Sequence, residues 1–314
     1  MDLQQWGRGM RAAPELLFWP GSLGSRGYAA LLEAAVAGRF RHMAISPYMI
    51  GQLLGDGHSA KEVVDEARAH GVQLTHMDGV SSWAPLWYGA DPMPHIKARF
   101  DFDARQCLDF AEACGLQSIV VAGAFDRGAL PLDVLVESFG RFCDAAARRQ
   151  MRVELEFVPF WGIPDLAAAW EIVRRAGRPN GGIVVDVWHL QKGSANFRQD
   201  LQLLAKIPAS CIQDVQLADA AIQARSDSMY AEGRFRQFPG DGQLAIDRIV
   251  EILAAKGSLR WIGTEVAGSA IDTLSNTQAG VRCAAATQAV VQRLGQSSAG
   301  LESLRPGACV SMGY

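Results

Sequence analysis

Residues 153–192 read VELEFVPFWGIPDLAAAWEIVRRAGRPNGGIVVDVWHLQK. The stretch holds two short apolar runs with a helical segment between them. Val153–Val158 and Gly182–Val187 have the length and composition of buried strands. PDLAAAWEIVRRAG carries apolar residues at helical spacing and stops at Gly177, as helix C-caps do. Two buried strands joined by such a helix need a right-handed crossover and therefore lie parallel. Each strand also carries a carboxylate near its C-terminal end, Glu156 and Asp186. A buried carboxylate costs several kcal/mol unless a cation or hydrogen bonds compensate it.

The same unit recurs in both directions. Further strand candidates are Leu16–Pro20, His42–Pro47, Val72–Asp78, Ser118–Ala122, Ile212–Leu217 and Trp261–Val266, which with the first two make eight. Helical segments such as SAKEVVDEARAHG, ARQCLDFAEACG, LDVLVESFGRFCDAAARRQ and LAIDRIVEILAAKG lie between them. Eight βα units predict an α/β fold, a (β/α)₈ TIM barrel in one domain over residues 1–296. The tail 297–314 is Ser/Gly-rich with a proline and reads as a C-terminal extension. A doubly wound sheet would want a Gly-rich phosphate turn after the first strand. WPGSLGSRG (Trp19–Gly27) lacks the GxGxxG order, so it reads as a βα loop at the catalytic end.

Bulk properties narrow the partners. A formal charge of −3 gives no reason to expect nucleic acid or an anionic membrane. No apolar run reaches membrane-spanning length, and the N-terminus has no secretory h-region. The six cysteines are scattered without CxxC spacing and read as reduced thiols. The expectation is a cytoplasmic protein that acts on a small molecule and can form a homo-oligomer.

In a barrel, the C-terminal strand ends face the catalytic mouth. Glu156 and Glu154 point to one side because strand side chains alternate, and Glu156 lies nearer the mouth. Gln216 in CIQDVQLADA and Glu265 in WIGTEV occupy matching places on the last two strands. Three carboxylates and an amide converging on one point are explained by one bound divalent metal. Other readings are open: Asp186 as a helix cap, Glu265 in a buried ion pair, Gln216 in loop hydrogen bonds. His76 and Asp78, ending the third strand, serve either a pocket or local hydrogen bonds. Aromatic residues in βα loops, among them Trp19, Trp83, Phe160 and Trp161, suggest apolar pocket walls. No Arg/Lys cluster declares a phosphate site, so a non-phosphorylated substrate is expected. Lys192 and Arg198 are the residues that would overturn this.

DxxH at Asp186 and His189, IQDVQLADA, RQFPGDG and GTEV together resemble the xylose isomerase-like superfamily and its sugar phosphate isomerase/epimerase branch. The resemblance implies metal ligands Glu156, Asp186 and Glu265, with Gln216 where ketose epimerases usually carry His. It also implies His189 as a substrate-hydroxyl contact and Arg236, with Arg234 competing, as a substrate-binding arginine. His76, Trp19 and Trp161 complete the expected substrate site. With Gln216 the ligands are all oxygen, which favours Mn²⁺ or Mg²⁺ over Zn²⁺. A cation so held can polarise a carbonyl while Glu156 and Glu265 remove and return the α-proton. The expected activity is isomerisation or epimerisation on a sugar-like substrate. The rival on the same scaffold is a lyase, which forms the same enolate and then expels a β-oxygen. Few histidines and an acidic balance argue against an apurinic-site endonuclease. A non-catalytic binding module is the remaining class.

Overall fold

A computed structural model describes residues 13–23 and 26–303, with side chains described to 295. Eight strands form a closed parallel barrel in chain order. They are β1 (Glu15–Phe18), β2 (His42–Ile45), β3 (Gln73–Val80), β4 (Ser118–Ala122), β5 (Arg152–Glu156), β6 (Gly181–Asp186), β7 (Ile212–Leu217) and β8 (Trp261–Thr264). Each coincides with an expected strand. The differences lie at the ends: β1, β2, β5 and β8 stop two residues early, β3 runs two residues further, and Glu265 begins a loop. β1 pairs with β8 at Leu16 and Ile262 and closes the ring. Gly263 permits that closure, because a methyl group there would overlap the Leu17 carbonyl.

Alternation along the strands divides the core into two shells. Leu155, Ile183, Val185 and Val215 point outward and pack under the helices. Leu17, Trp19, Ala44, Val120, Val184 and Trp261 fill the barrel interior. Burying each Leu, Ile or Val side chain contributes roughly 1.5–3 kcal/mol. The crossover helix in the opening stretch is Leu166–Ala176. Asp165 caps its start by accepting from the Ala168 amide, and Gly177 ends it at φ 62°, a left-handed conformation that suits glycine.

The first helix, Gly27–Ala37, lies against the last, Asn276–Ser303. Gly280 allows backbone contact there, since a methyl group would overlap the Ala34 carbonyl. That last helix runs through position 297, where the extension was expected to start. The remainder of the expected extension lies outside the described residues.

Candidate functional site

The strands deliver the four expected donors to one end of the barrel. Glu156 is the last residue of β5 and Asp186 the last of β6. Gln216 lies beside Asp186 in register and faces Gly263 on β8. Glu265 follows β8, its amide donating to the Leu217 carbonyl at 2.8 Å. All four are buried. The β1 loop closes over them: a methyl group on Gly21 would collide with the Glu265 carboxylate.

Asp186 has two uses besides any cation. Its Oδ1 accepts from the His189 amide at 2.8 Å and caps the short helix Val187–Lys192. Its Oδ2 accepts from Arg236 Nη1 at 2.8 Å. Arg236 also donates to the Glu265 carbonyl at 3.2 Å, lies 3.7 Å from Glu265 Oε2 and stacks over Trp188. Its Nη2 lies 2.8 Å from His189 Nε2. A guanidinium only donates, so Nε2 accepts and the imidazole proton sits on Nδ1. Nδ1 faces Glu156 Oε1 at 3.2 Å and Asp186 Oδ2 at 3.8 Å. Arg234, the competing arginine, instead pairs with Asp272 at the surface.

Glu156, Asp186 and His189 bring ligand-capable atoms within 4.8 Å of one another, so a cation fits among them. In this arrangement Arg236 occupies one nitrogen of His189 and the proton the other. The imidazole so presents Nδ1 to Glu156 at 3.2 Å without a hydrogen bond. The residues present fit a divalent ion on two counts. Gln216 is wholly buried, yet neither its amide oxygen nor its amide nitrogen has a hydrogen-bond partner. Buried amides are rarely left so, and an ion would satisfy the oxygen. Asp78, Glu156, Asp186 and Glu265 also crowd four carboxyl groups together, the last three against Arg236 and Asp78 near Arg99. Burial, then Asp78 and Glu156, raise Glu265 well above the usual carboxylate range. Burial, opposed by Arg99 and reinforced by Glu156 and Asp186, pushes Asp78 up to about 7. Burial also opposes ionisation of Asp186, but Arg236 and His189 outweigh it and lower its pKa.

These directions set a pH dependence. Asp78 and Glu265 are easier to protonate folded than unfolded. Their contribution to stability is full below the unfolded pKa and is lost as pH rises through the folded one. The metal-free protein should therefore lose stability between about pH 5 and pH 8. A bound cation favours the carboxylates and reverses that loss. Thermal melts at about pH 6 and about pH 8, with and without Mn²⁺, check this. A metal-induced gain no larger at the higher pH would count against the cation site.

Of the other expected contacts, Trp161 stays at the mouth, edge-on to Phe100 and Phe160. Phe160 in turn meets Tyr230, whose hydroxyl bonds His95 Nε2 at 2.8 Å across the β3 and β7 loops. His76 and Trp19 are not brought there. His76 lies two residues below Asp78 on the same strand face, 3.4 Å from Asp214. Trp19 is fully buried edge-on to His76 in the interior cluster. Trp83 donates to the Ala122 carbonyl and belongs to the packing. Of the two phosphate candidates, Lys192 pairs with Glu232 at 3.0 Å, and Arg198 lies exposed on the helix Phe197–Lys206. Arg99 was not anticipated, and Asp78 only as one of two readings.

A protein-family model described as a xylose isomerase-like TIM barrel matches residues 33–287. The chain belongs to that family. A 3-dehydroshikimate dehydratase of Pseudomonas aeruginosa is 30% identical over 176 residues, 55% of this chain. That alignment covers 26% of the dehydratase, so the chain spans about a quarter of this relative's length. Among solved structures, a xylose isomerase-like TIM barrel/4-hydroxyphenylpyruvate dioxygenase fusion protein superposes with a TM-score of 0.74 at 20% identity. It covers 96% of this chain and 46% of that one. The IOLI protein with a binding zinc atom has a TM-score of 0.74 at 17% identity, covering 89% and 99%. At these identities the structures share the family's barrel. No helix among the described residues is long and apolar enough to cross a membrane.

Proposed function

We propose that this family member is a divalent-metal-dependent lyase that dehydrates a non-phosphorylated hydroxy-keto ring acid by way of an enolate. The carrying observation is the buried donor set. Three carboxylates and an unpartnered amide share one barrel end with a guanidinium and an oriented imidazole. Glu156, Asp186, Gln216 and Glu265 would hold the ion, and their oxygens favour Mn²⁺ or Mg²⁺. A divalent ion there supplies polarisation of the substrate carbonyl.

This chain's residues do the rest. Glu156 and Glu265 serve as base and acid: one takes the proton α to the carbonyl, and the other protonates the β-hydroxyl as it leaves as water. His189, held in one tautomer by Arg236, has an unpartnered Nδ1–H beside Glu156 with which to meet a substrate hydroxyl. On 3-dehydroshikimate, loss of the α-proton and β-hydroxyl leaves a ring that tautomerises to a dihydroxybenzoate. The relative's name favours elimination. Epimerisation is the second reading, because two carboxyl groups at one carbonyl also suit removal and return of a proton.

The deciding experiment incubates Mn²⁺-loaded protein in D₂O with 3-dehydroshikimate and with keto-sugars. Dihydroxybenzoate from the former supports the lyase. Deuterium exchange with isomer formation from a keto-sugar, and no elimination, would replace it with the epimerase.

Gln216 gives a separate check. Gln216→His should shift metal preference towards Zn²⁺ or Co²⁺, because imidazole suits those ions better than an amide oxygen. Competition titrations with unchanged selectivity would remove Gln216 from the ligand set.

A further inference from the structure

Arg99 sits on the helix Pro94–Phe100 in the loop after β3. Its guanidinium lies beside Gly79, where a methyl group would stand 3.9 Å from Nη2. It lies over the Phe100 ring, which packs edge-on to Trp161. Gly79 adjoins Asp78 and Phe100 adjoins Trp161, so the guanidinium stands between the acid cluster and the aromatic wall. Yet it has no ion pair or hydrogen bond among the described residues, and its Nε is buried without an acceptor. The nearby cations are engaged. Arg236 is held by Asp186, and Lys192 by Glu232 and the Ala221 and Ile222 carbonyls.

A partly desolvated guanidinium with an empty fork calls for an anion. Its geometry matches a carboxylate through two parallel hydrogen bonds. The surrounding carboxyl groups disfavour a doubly charged phosphate, and one fork serves one carboxylate. We propose that Arg99 anchors a single substrate carboxylate and so selects hydroxy-keto ring acids over neutral sugars. This role rests on the enolate chemistry proposed above, with the carboxylate held at the β3 loop and the reacting carbons at the strand ends.

The test separates Arg99 from the reaction itself. Affinities of 3,4-dihydroxybenzoate and 3,4-dihydroxybenzamide are measured on Mn²⁺-loaded wild type, Arg99→Met and Arg99→Lys. The two probes share the catechol and differ in the carboxylate charge. Wild type should prefer the acid by about 10–100-fold, since hydrogen bonds to charged groups are the strong ones. Arg99→Met should lose the preference while binding the amide as before, and Arg99→Lys should keep part of it. In parallel, Arg99→Met should raise KM for 3-dehydroshikimate by a similar factor with little change in kcat. Equal wild-type affinity for acid and amide, or a preference that survives in Arg99→Met, overturns the role. If the preference follows Arg99 but wild type does not dehydrate the substrate, the proposed reaction fails and the carboxylate anchor stands.

Discussion

Glu156→Gln and Glu265→Gln will each lower kcat by about 10²–10⁴-fold, the usual worth of a positioned proton-transfer group. Both substitutions keep an oxygen that can still touch a cation while removing the proton acceptor. Metal content should therefore fall less than activity does. The two variants need not behave alike. Elimination uses a base for the α-proton and an acid for the leaving hydroxyl. The variant that has lost the acid should still exchange the α-proton with D₂O while failing to release product. Epimerisation predicts instead that each variant loses inversion in one direction first. Exchange and product are to be measured separately in both. Full activity in either variant would remove that residue from the chemistry.

Asp186→Ala should be the most damaging substitution to the fold of the site. Asp186 compensates the buried Arg236, caps the helix Val187–Lys192 and is an expected ligand. Breaking a buried ion pair from one side costs about 3–5 kcal/mol, and losing an N-cap about 1 kcal/mol more. Relief of repulsion with Glu156 and Glu265 offsets part of this, so a net loss of about 3 kcal/mol is expected. Asp186→Asn separates structure from ligation. The amide oxygen can keep the cap or the arginine contact, so the protein should melt nearer to wild type. Its Mn²⁺ affinity should still fall well below wild type. Wild-type affinity in Asp186→Asn, measured by titration, would remove Asp186 from the ligand set.

The barrel was legible because each strand writes itself as a short apolar run and each crossover as a helix with a cap. The four buried polar side chains at one barrel end were legible for the same reason, as exceptions in runs that had to be buried. The alternatives for Asp186 prove compatible: it caps a helix and pairs with Arg236 as well as standing among the expected ligands. His76 and Trp19 were harder to place. Trp19 falls just after β1 and His76 in the middle of β3, level with the first residue of β4, so the barrel's stagger sets them below the mouth, inside the packed interior and beside Asp214. Linear position does not reveal stagger. Arg99 was missed because its meaning is an absent partner, which only the packing of two loops defines.

The close seat of the first helix on the last constrains how the chain reaches this state. Ala34 meets Gly280, and β1 meets β8, only after all the units between them have been made. Until then the edge strand and one helix face stay uncovered, whatever the intervening units have formed. Such sequence-distant contacts slow folding, because the entropy of closing the long loop is lost before the contact rewards it. The final ring closure is therefore the expected slow step of folding, and the stage at which half-made chains would stick to one another. A bulky residue at position 280 would act there first, lowering the yield of refolded protein before it altered any chemistry at the opposite side of the strands.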